Sequence, residues 1–387
     1  MSKIKLLLSL IVLTIVGCSS NDSSVPEVVP QTPTSLTGVL VNNQVNLAIN
    51  KYKDLIDSKS NFPADFIAEG VDQTRGWFFT LHALGTMLFD SVAYKNVVAN
   101  GLVLDKNGNK MSKRLGNAID PFKTLSTYGA DATRWYMITN SDPWDNLKFD
   151  LEGIAETQRK FFGTLYNTYT FFAIYANIDN YQFNPDSKVE FARLSELDRW
   201  ILSKLNSLCL LVAKHMDDYD PTPAARAIET FVCDDLSNWY VRLSRRRFWK
   251  GEMNEDKQAA YDTLFACISK VSQLMSPFAP FFSDWLHHSL KLDQYHSSVH
   301  LTHFPSIDQA LIDTELETTM QLAQDISSMV LGLRKKQNIR VRQPLQKIMV
   351  PVLDEAFKQR LDHIQDLILS EVNVKEVAFL EADNAVI

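Results

Sequence analysis

The sequence predicts two fold classes in succession, an α/β segment that supplies half of a doubly wound parallel sheet and then a mainly α-helical body. Three observations point there. The apolar run Val97–Leu104 reads as a buried strand, Asp105–Asn109 carries turn chemistry, and a helix starts near Asp120-Pro121, which is the strand, loop, helix order of a βαβ unit. Upstream, Trp77, Phe78, Leu81, Leu84 and Leu88 recur at helical spacing, so most of Arg75–Phe89 is expected in the core. Beyond Leu194 the same period returns, with Leu197, Trp200, Ile201, Leu205 and Leu208 forming one stripe.

Bulk properties narrow the function. A chain of 387 residues can bury more than one core. Its net charge of -7 argues against indiscriminate nucleic-acid binding, so any RNA contact must be a local patch. Cys18, Cys209, Cys233 and Cys267 sit singly in different segments, and His296, His300 and His303 lie in a polar connector without cysteines. Neither a metal site nor a disulfide framework is expected.

In chain order, Lys3 and Lys5 precede the apolar run Leu6–Val16, which is too short to span a membrane but suits a signal peptide. The run ends Ile15-Val16-Gly17-Cys18 and resembles a bacterial lipobox, in which Cys18 would be the acylated residue of segment 1–18. Residues 19–50 read as a proline-rich linker and the first hairpin of a β-sandwich, similar to the opening of a fibronectin type III repeat. Phe62–Glu69 then forms a short strand that ends at a glycine, and Asp72 starts a helix. Phe161–Ala176 is aromatic enough to demand burial. In the helical body, Thr222-Pro223 reads as an N-cap with proline at N1, and Met275–Phe282 breaks a helix at its prolines. Ile348–Ile387 starts a small α/β unit.

The loop Lys110-Met111-Ser112-Lys113-Arg114 places three cations in five residues between a strand end and a helix start. Alone it could be a solvated basic loop or a phosphate site, for which lysine is a flexible point charge. Its flanks decide the matter. Asp65–Phe79, with Asp72-Gln73-Thr74-Arg75-Gly76-Trp77-Phe78 inside it, lies upstream, and Tyr128-Gly-Ala-Asp-Ala-Thr-Arg-Trp135 lies downstream. In this order the three segments resemble the second half of the Rossmann-like catalytic domain of class I aminoacyl-tRNA synthetases, in the isoleucyl-tRNA synthetase family. The resemblance runs from about Tyr52 to the C-terminus. It extends through Asn238-Trp239-Tyr240 and Ser276-Pro277-Phe278, which are similar to the family's anticodon-binding bundle.

The resemblance implies a partial catalytic domain over 51–150, a helical anticodon-binding domain over 151–345 and the start of an α/β unit over 346–387. It also implies activation of isoleucine by ATP with Mg2+ and transfer to tRNA(Ile), a cytoplasmic reaction with no protein partner. Lys110 and Lys113 would serve the leaving phosphates; Glu69, Gly70, Asp72, Gln73, Met111 and Lys113 would line the adenylate. Core packing and ligand contact both suit Trp77, and the resemblance favours the isoleucine pocket. The triplet Arg245-Arg246-Arg247 is either a solvated helix face or, in this context, a contact to the tRNA backbone. The family's His-x-Gly-His motif and its editing insertion are absent from the sequence. The chain is therefore expected to be a synthetase fragment behind a lipoprotein-like start, inactive alone, and membrane-associated only if the lipobox is used. A tRNA-binding module without catalysis and a surface lipoprotein with a repurposed helical body are the competing expectations.

Overall fold

The computed structural model describes residues 62–184, 193–352 and 354–380. The proposed lipobox at Cys18 and the hairpin before residue 50 lie outside the described residues. Two compact units divide the rest: 62–102 with 143–146, and 103–142 with the segment from 147 onward.

In the first unit, β1 (Ala64–Gly70), a 3-10 turn (Val71–Arg75), α1 (Trp77–Phe89) and β2 (Tyr94–Asn100) form one βαβ element. The strands pair in parallel, from Ala64 opposite Tyr94 to Gly70 opposite Asn100. Among the described residues each strand has only the other as a neighbour. That explains a departure from the expected burial of α1, where Phe78 is buried, Leu81, Leu84 and Leu88 are half-buried, and Trp77 is exposed. A two-stranded sheet covers one stripe of a helix and no more.

The apolar run Val97–Leu104 is likewise not one buried strand. Gly101 donates to the Pro143 carbonyl at 2.8 Å and Leu102 to Asn146 Oδ1 at 2.8 Å, which takes both amides away from a ladder. A Cβ at Gly101 would run into the Asp145 carbonyl, so only glycine admits this approach.

The second unit opens with β3 (Val103–Leu104), paired in parallel with β4 (Leu147–Lys148). Between them lie α2 (Pro121–Tyr128) and α3 (Ala130–Asn140). Asp120 caps α2 by accepting from Phe122 N and Lys123 N, with Pro121 at N1 as the sequence predicts. Next, α4 (Leu151–Thr157) runs through a π-helical turn (Gln158–Phe162) into α5 (Gly163–Ile178). Phe161, Phe162 and Phe172 are buried there, and Trp135 of α3 stacks on Phe161 at 4.2 Å.

The helical body is α6 (Glu196–Asp217), α7 (Pro221–Thr230), a π-helical stretch (Phe231–Val241), α8 (Arg242–Trp249), α9 (Glu255–Met275), α10 (Pro280–Ser289) and α11 (Thr314–Lys336). Trp200, Ile201, Leu205 and Leu208 are buried in the continuous core of this unit, so the stripe read from the sequence is the inward face of α6. Helix α7 begins at Pro221, not at Pro223. The buried Thr222 hydroxyl reaches out of the helix and donates to the Ile138 carbonyl at 2.8 Å, tying α7 to the end of α3. Arg134 of α3 makes a separate tie to the turn before α10, through Nε to the Phe278 carbonyl at 2.9 Å and Nη2 to the Pro277 carbonyl at 3.1 Å. Finally β5 (Leu345–Pro351), α12 (Glu355–Val372) and β6 (Val374–Leu380) make a second parallel βαβ element.

Candidate active site

Glu69 and Gly70 end β1, and Asp72 and Gln73 lie in the turn that feeds α1. This is the carboxyl edge of a parallel strand beside a helix N-terminus, where α/β sheets bind ligands. Gln73 holds the corner. Its Oε1 accepts from Trp77 N at 2.9 Å, satisfying a first-turn amide of α1, and its Nε2 donates to Asp72 Oδ2 at 3.3 Å. Two glycines leave room for these side chains: a Cβ at Gly70 would lie 2.6 Å from Asp72 Oδ1, and one at Gly76 would lie 2.8 Å from Gln73 Oε1. Thus Gln73 positions the Asp72 carboxylate, while Glu69, Asp72 and the Trp77 ring stay exposed. The sequence grouped these four polar-edge residues without dividing their roles; the amide cap on Trp77 supplies one such division.

The basic loop belongs to the second unit. Asp105 builds its entry, accepting from Asn107 N at 3.0 Å and Asn109 N at 2.8 Å. Asn117 closes it from the far side. Its Nδ2 donates to Asp105 Oδ2 at 3.0 Å and to the Lys110 carbonyl at 3.2 Å, and its Oδ1 accepts from Ser112 N at 2.8 Å. Ser112 then caps a 3-10 turn, Lys113–Leu115, that ends on Gly116 at φ +69°, a left-handed position suited to glycine. The Asn117 amide, followed by the Asn109 backbone amide, holds the Asp105 carboxyl below its ordinary pKa. Asp105 therefore stays an acceptor across the neutral range. Lys110, Lys113 and Arg114 are exposed, with no side-chain partner among the described residues. Met111 turns inward and packs, half-buried, against the hydrophobic core. Its side chain is an apolar anchor for the loop. Asp105 was legible only as a turn residue, and Asn117, which organises the loop with it, was not singled out by the sequence.

The arginine triplet splits. Arg245 and Arg246 are exposed on α8. Arg247 points the other way, donating Nη1 to Asp198 Oδ1 at 2.8 Å and Nη2 to Asp198 Oδ2 at 2.7 Å, with Nε to Asp256 Oδ2 at 3.0 Å. Burial opposes its charge, yet the hydrogen bonds to Asp198 and Asp256 raise its pKa above the ordinary arginine value. Its guanidinium is committed inside the protein, so Arg247 is removed from the tRNA-contact assignment.

Two family models match the chain. One, described as tRNA synthetases class I (I, L, M and V), covers residues 41–150, and the other, the anticodon-binding domain of tRNA ligase, covers residues 198–349. The isoleucine–tRNA ligase of Cytophaga hutchinsonii is 59% identical over 331 residues, 85% of this chain and 30% of that protein. The isoleucine–tRNA ligase of Bacteroides fragilis is 59% identical over 333 residues, 85% of this chain and 29% of that protein. The chain thus spans about 30% of the length of the curated relatives it matches. Among solved structures, the LeuRS–tRNA–LeuAMS ternary complex of Agrobacterium radiobacter matches with a TM-score of 0.51 at 20% identity, over 65% of this chain and 29% of that one, a likeness of fold. With its catalytic and anticodon-binding matches in the order the sequence predicts, and this identity to isoleucine–tRNA ligases, the chain belongs to the class I aminoacyl-tRNA synthetases, in the isoleucine–tRNA ligase family.

Proposed function

We propose that this chain contributes the phosphate-facing part of the catalytic site and the tRNA-binding body of an isoleucine–tRNA ligase. The observation that carries the reading is the Lys110–Arg114 loop, whose cations have no side-chain partner among the described residues while its backbone is fixed by Asp105 and Asn117. In the activation step the isoleucine carboxylate oxygen bonds to the α-phosphorus of ATP, and the bond from that phosphorus to the bridging oxygen breaks, releasing pyrophosphate. The 3′-terminal ribose hydroxyl of tRNA(Ile) then takes the acyl group, and AMP leaves. Lys113 and Lys110 neutralise the charge that accumulates on the leaving phosphates. Glu69 and Asp72 offer carboxylates to ribose hydroxyls and to the α-ammonium group, and the Trp77 ring offers an apolar wall for the isoleucine side chain.

The described residues hold no cluster of three metal-ligating side chains. Independently of that, Mg2+ would enter on the phosphates of ATP, as suits an ion that keeps its waters. Substrates of this kind place the reaction in the cytoplasm. No helix among the described residues is long and apolar enough to cross a membrane. The assignments 51–150 to catalysis, 151–345 to anticodon binding and 346–387 to a further α/β unit are part of the same proposal.

Isoleucine-dependent ATP–pyrophosphate exchange tests it. The 387-residue chain alone is expected to show none, because β1 and β2 pair only with each other among the described residues and the sequence carries no His-x-Gly-His. Grafted in place of the matching segment of the Cytophaga hutchinsonii enzyme, the same residues are expected to restore exchange. An inactive but folded graft would refute the catalytic reading.

Binding to tRNA is tested separately. Arg245→Ser with Arg246→Ser should lower the log–log salt slope of tRNA affinity by about 1.4–1.8, two contacts at roughly 0.7–0.9 each. Circular dichroism should stay unchanged because both side chains are exposed. An unaltered slope would make them a solvated face.

A further inference from the structure

A second cationic surface lies outside the residues used above. From Asp325 to Asp354 the sequence has no carboxylate between those two, yet it carries Lys335, Lys336, Arg340 and Arg342 in a chain of net charge -7. All four are exposed, and none of their side chains has a partner among the described residues. Lys347 stands apart, since Glu376 faces it across the β5–β6 ladder.

This loop is built, not loose. Asn338 takes a left-handed φ of +55°, and Ile339 N closes onto the Arg334 carbonyl at 2.9 Å. Arg334 is 3% exposed, and among the described residues its guanidinium binds only main-chain carbonyls: Nη1 to Arg340 at 3.2 Å and Gln343 at 3.0 Å, and Nη2 to Asn373 at 2.9 Å. Asn373 answers from the end of α12 by donating Nδ2 to the Val341 carbonyl at 2.8 Å. With no carboxylate on it, the Arg334 charge adds to the field of the loop while its fork fixes the backbone. The loop is also joined to α8. Arg242 forms an ion pair with Glu371 at 2.5 Å, two residues before Asn373, and Arg242 shares a helix face with Arg245 and Arg246 through its i+3 and i+4 spacing.

We propose that Lys335–Arg342, the last turn of α11 and the loop that follows it, is a second, preorganised phosphate-binding surface for the backbone of the bound RNA, with Arg334 as its positioning residue. The inference rests on the tRNA-binding reading above. Cations on two neighbouring elements suit a polymer with a phosphate at every residue better than a compact anion. A fixed loop also loses less freedom on binding than a mobile one.

The test uses the full 387-residue chain and total tRNA, with affinity followed across a salt series. Replacing Lys335, Lys336, Arg340 and Arg342 by serine is expected to lower the log–log slope by about 3, four contacts at roughly 0.7–0.9 each. Arg334→Met should weaken binding about tenfold in the native loop and less than about twofold in the four-serine background, because positioning matters only while there are cations to position. A merely structural role would weaken binding equally in both backgrounds, and that result overturns the assignment. So does an unchanged slope in the four-serine variant, with or without lost binding to phosphatidylserine vesicles. If that slope is unchanged while the Arg245 and Arg246 variant lowers it, only the present inference fails. Absence of tRNA binding by the wild-type chain removes both.

Discussion

Lys113→Ala, introduced into the active graft, is expected to lower the rate of isoleucine-dependent pyrophosphate exchange by about 10²–10³, or roughly 2.7–4 kcal/mol, the scale of one preorganised charge-stabilising donor. The loss should fall mainly on kcat, since the charge on the leaving pyrophosphate grows in the transition state and is smaller in bound ATP. Structure makes the substitution clean. Lys113 is exposed and unpartnered among the described residues, while the loop is held by Asp105, Asn117 and Ser112, so truncation removes a charge and leaves the frame. Asn117→Ala makes the contrast: it leaves all three cations in place and releases three hydrogen bonds that fix them. A Lys113→Ala graft with unchanged exchange would make the loop structural only.

The helical body was legible because its signal is local. Trp200, Ile201, Leu205 and Leu208 repeat at the period of one helix, and nothing distant is needed to see that they share a face. The α/β part was legible in order but not in burial. Periodicity told that Trp77 and Leu81 lie on α1; whether they are covered depends on neighbouring strands, which no helix encodes. Gly101 shows the same limit, since its reason for being glycine is the Asp145 carbonyl, a partner far along the chain. Charge runs are the hardest to read. On α8 the buried positions Ser244 and Phe248 put Arg245 and Arg246 outward and leave Arg247 at the boundary, but the carboxylate that captures Arg247 is on α6. Only the fold brings it near. The basic loop was recognised by its cations, whereas the pairing of Asp105 with Asn117 that orders it leaves no separate mark on the sequence.

The capture of Arg247 has a large consequence for stability. Asp198 is fully buried near the start of α6 and receives both Arg247 nitrogens, the Tyr240 hydroxyl at 2.6 Å and the Ser195 hydroxyl at 2.6 Å. Four elements of the bundle thus meet at one carboxylate: α6, the π-helical stretch, α8 and, through Asp256, α9. Arg247→Met keeps most of the side chain's bulk but strands the Asp198 charge, and should cost about 3–5 kcal/mol, the penalty for an uncompensated buried ion. Asp198→Asn should cost less, since it retains an acceptor for Tyr240 or Arg247 and Asp256 still neutralises the guanidinium. Removing both charges, Asp198→Leu with Arg247→Met, should be milder than the sum of the single changes, because a buried pair and an apolar pair of similar volume are often close in stability. Urea unfolding followed by circular dichroism measures all three. An Arg247→Met variant no less stable than Arg245→Met would mean that the ion pair contributes little to stability.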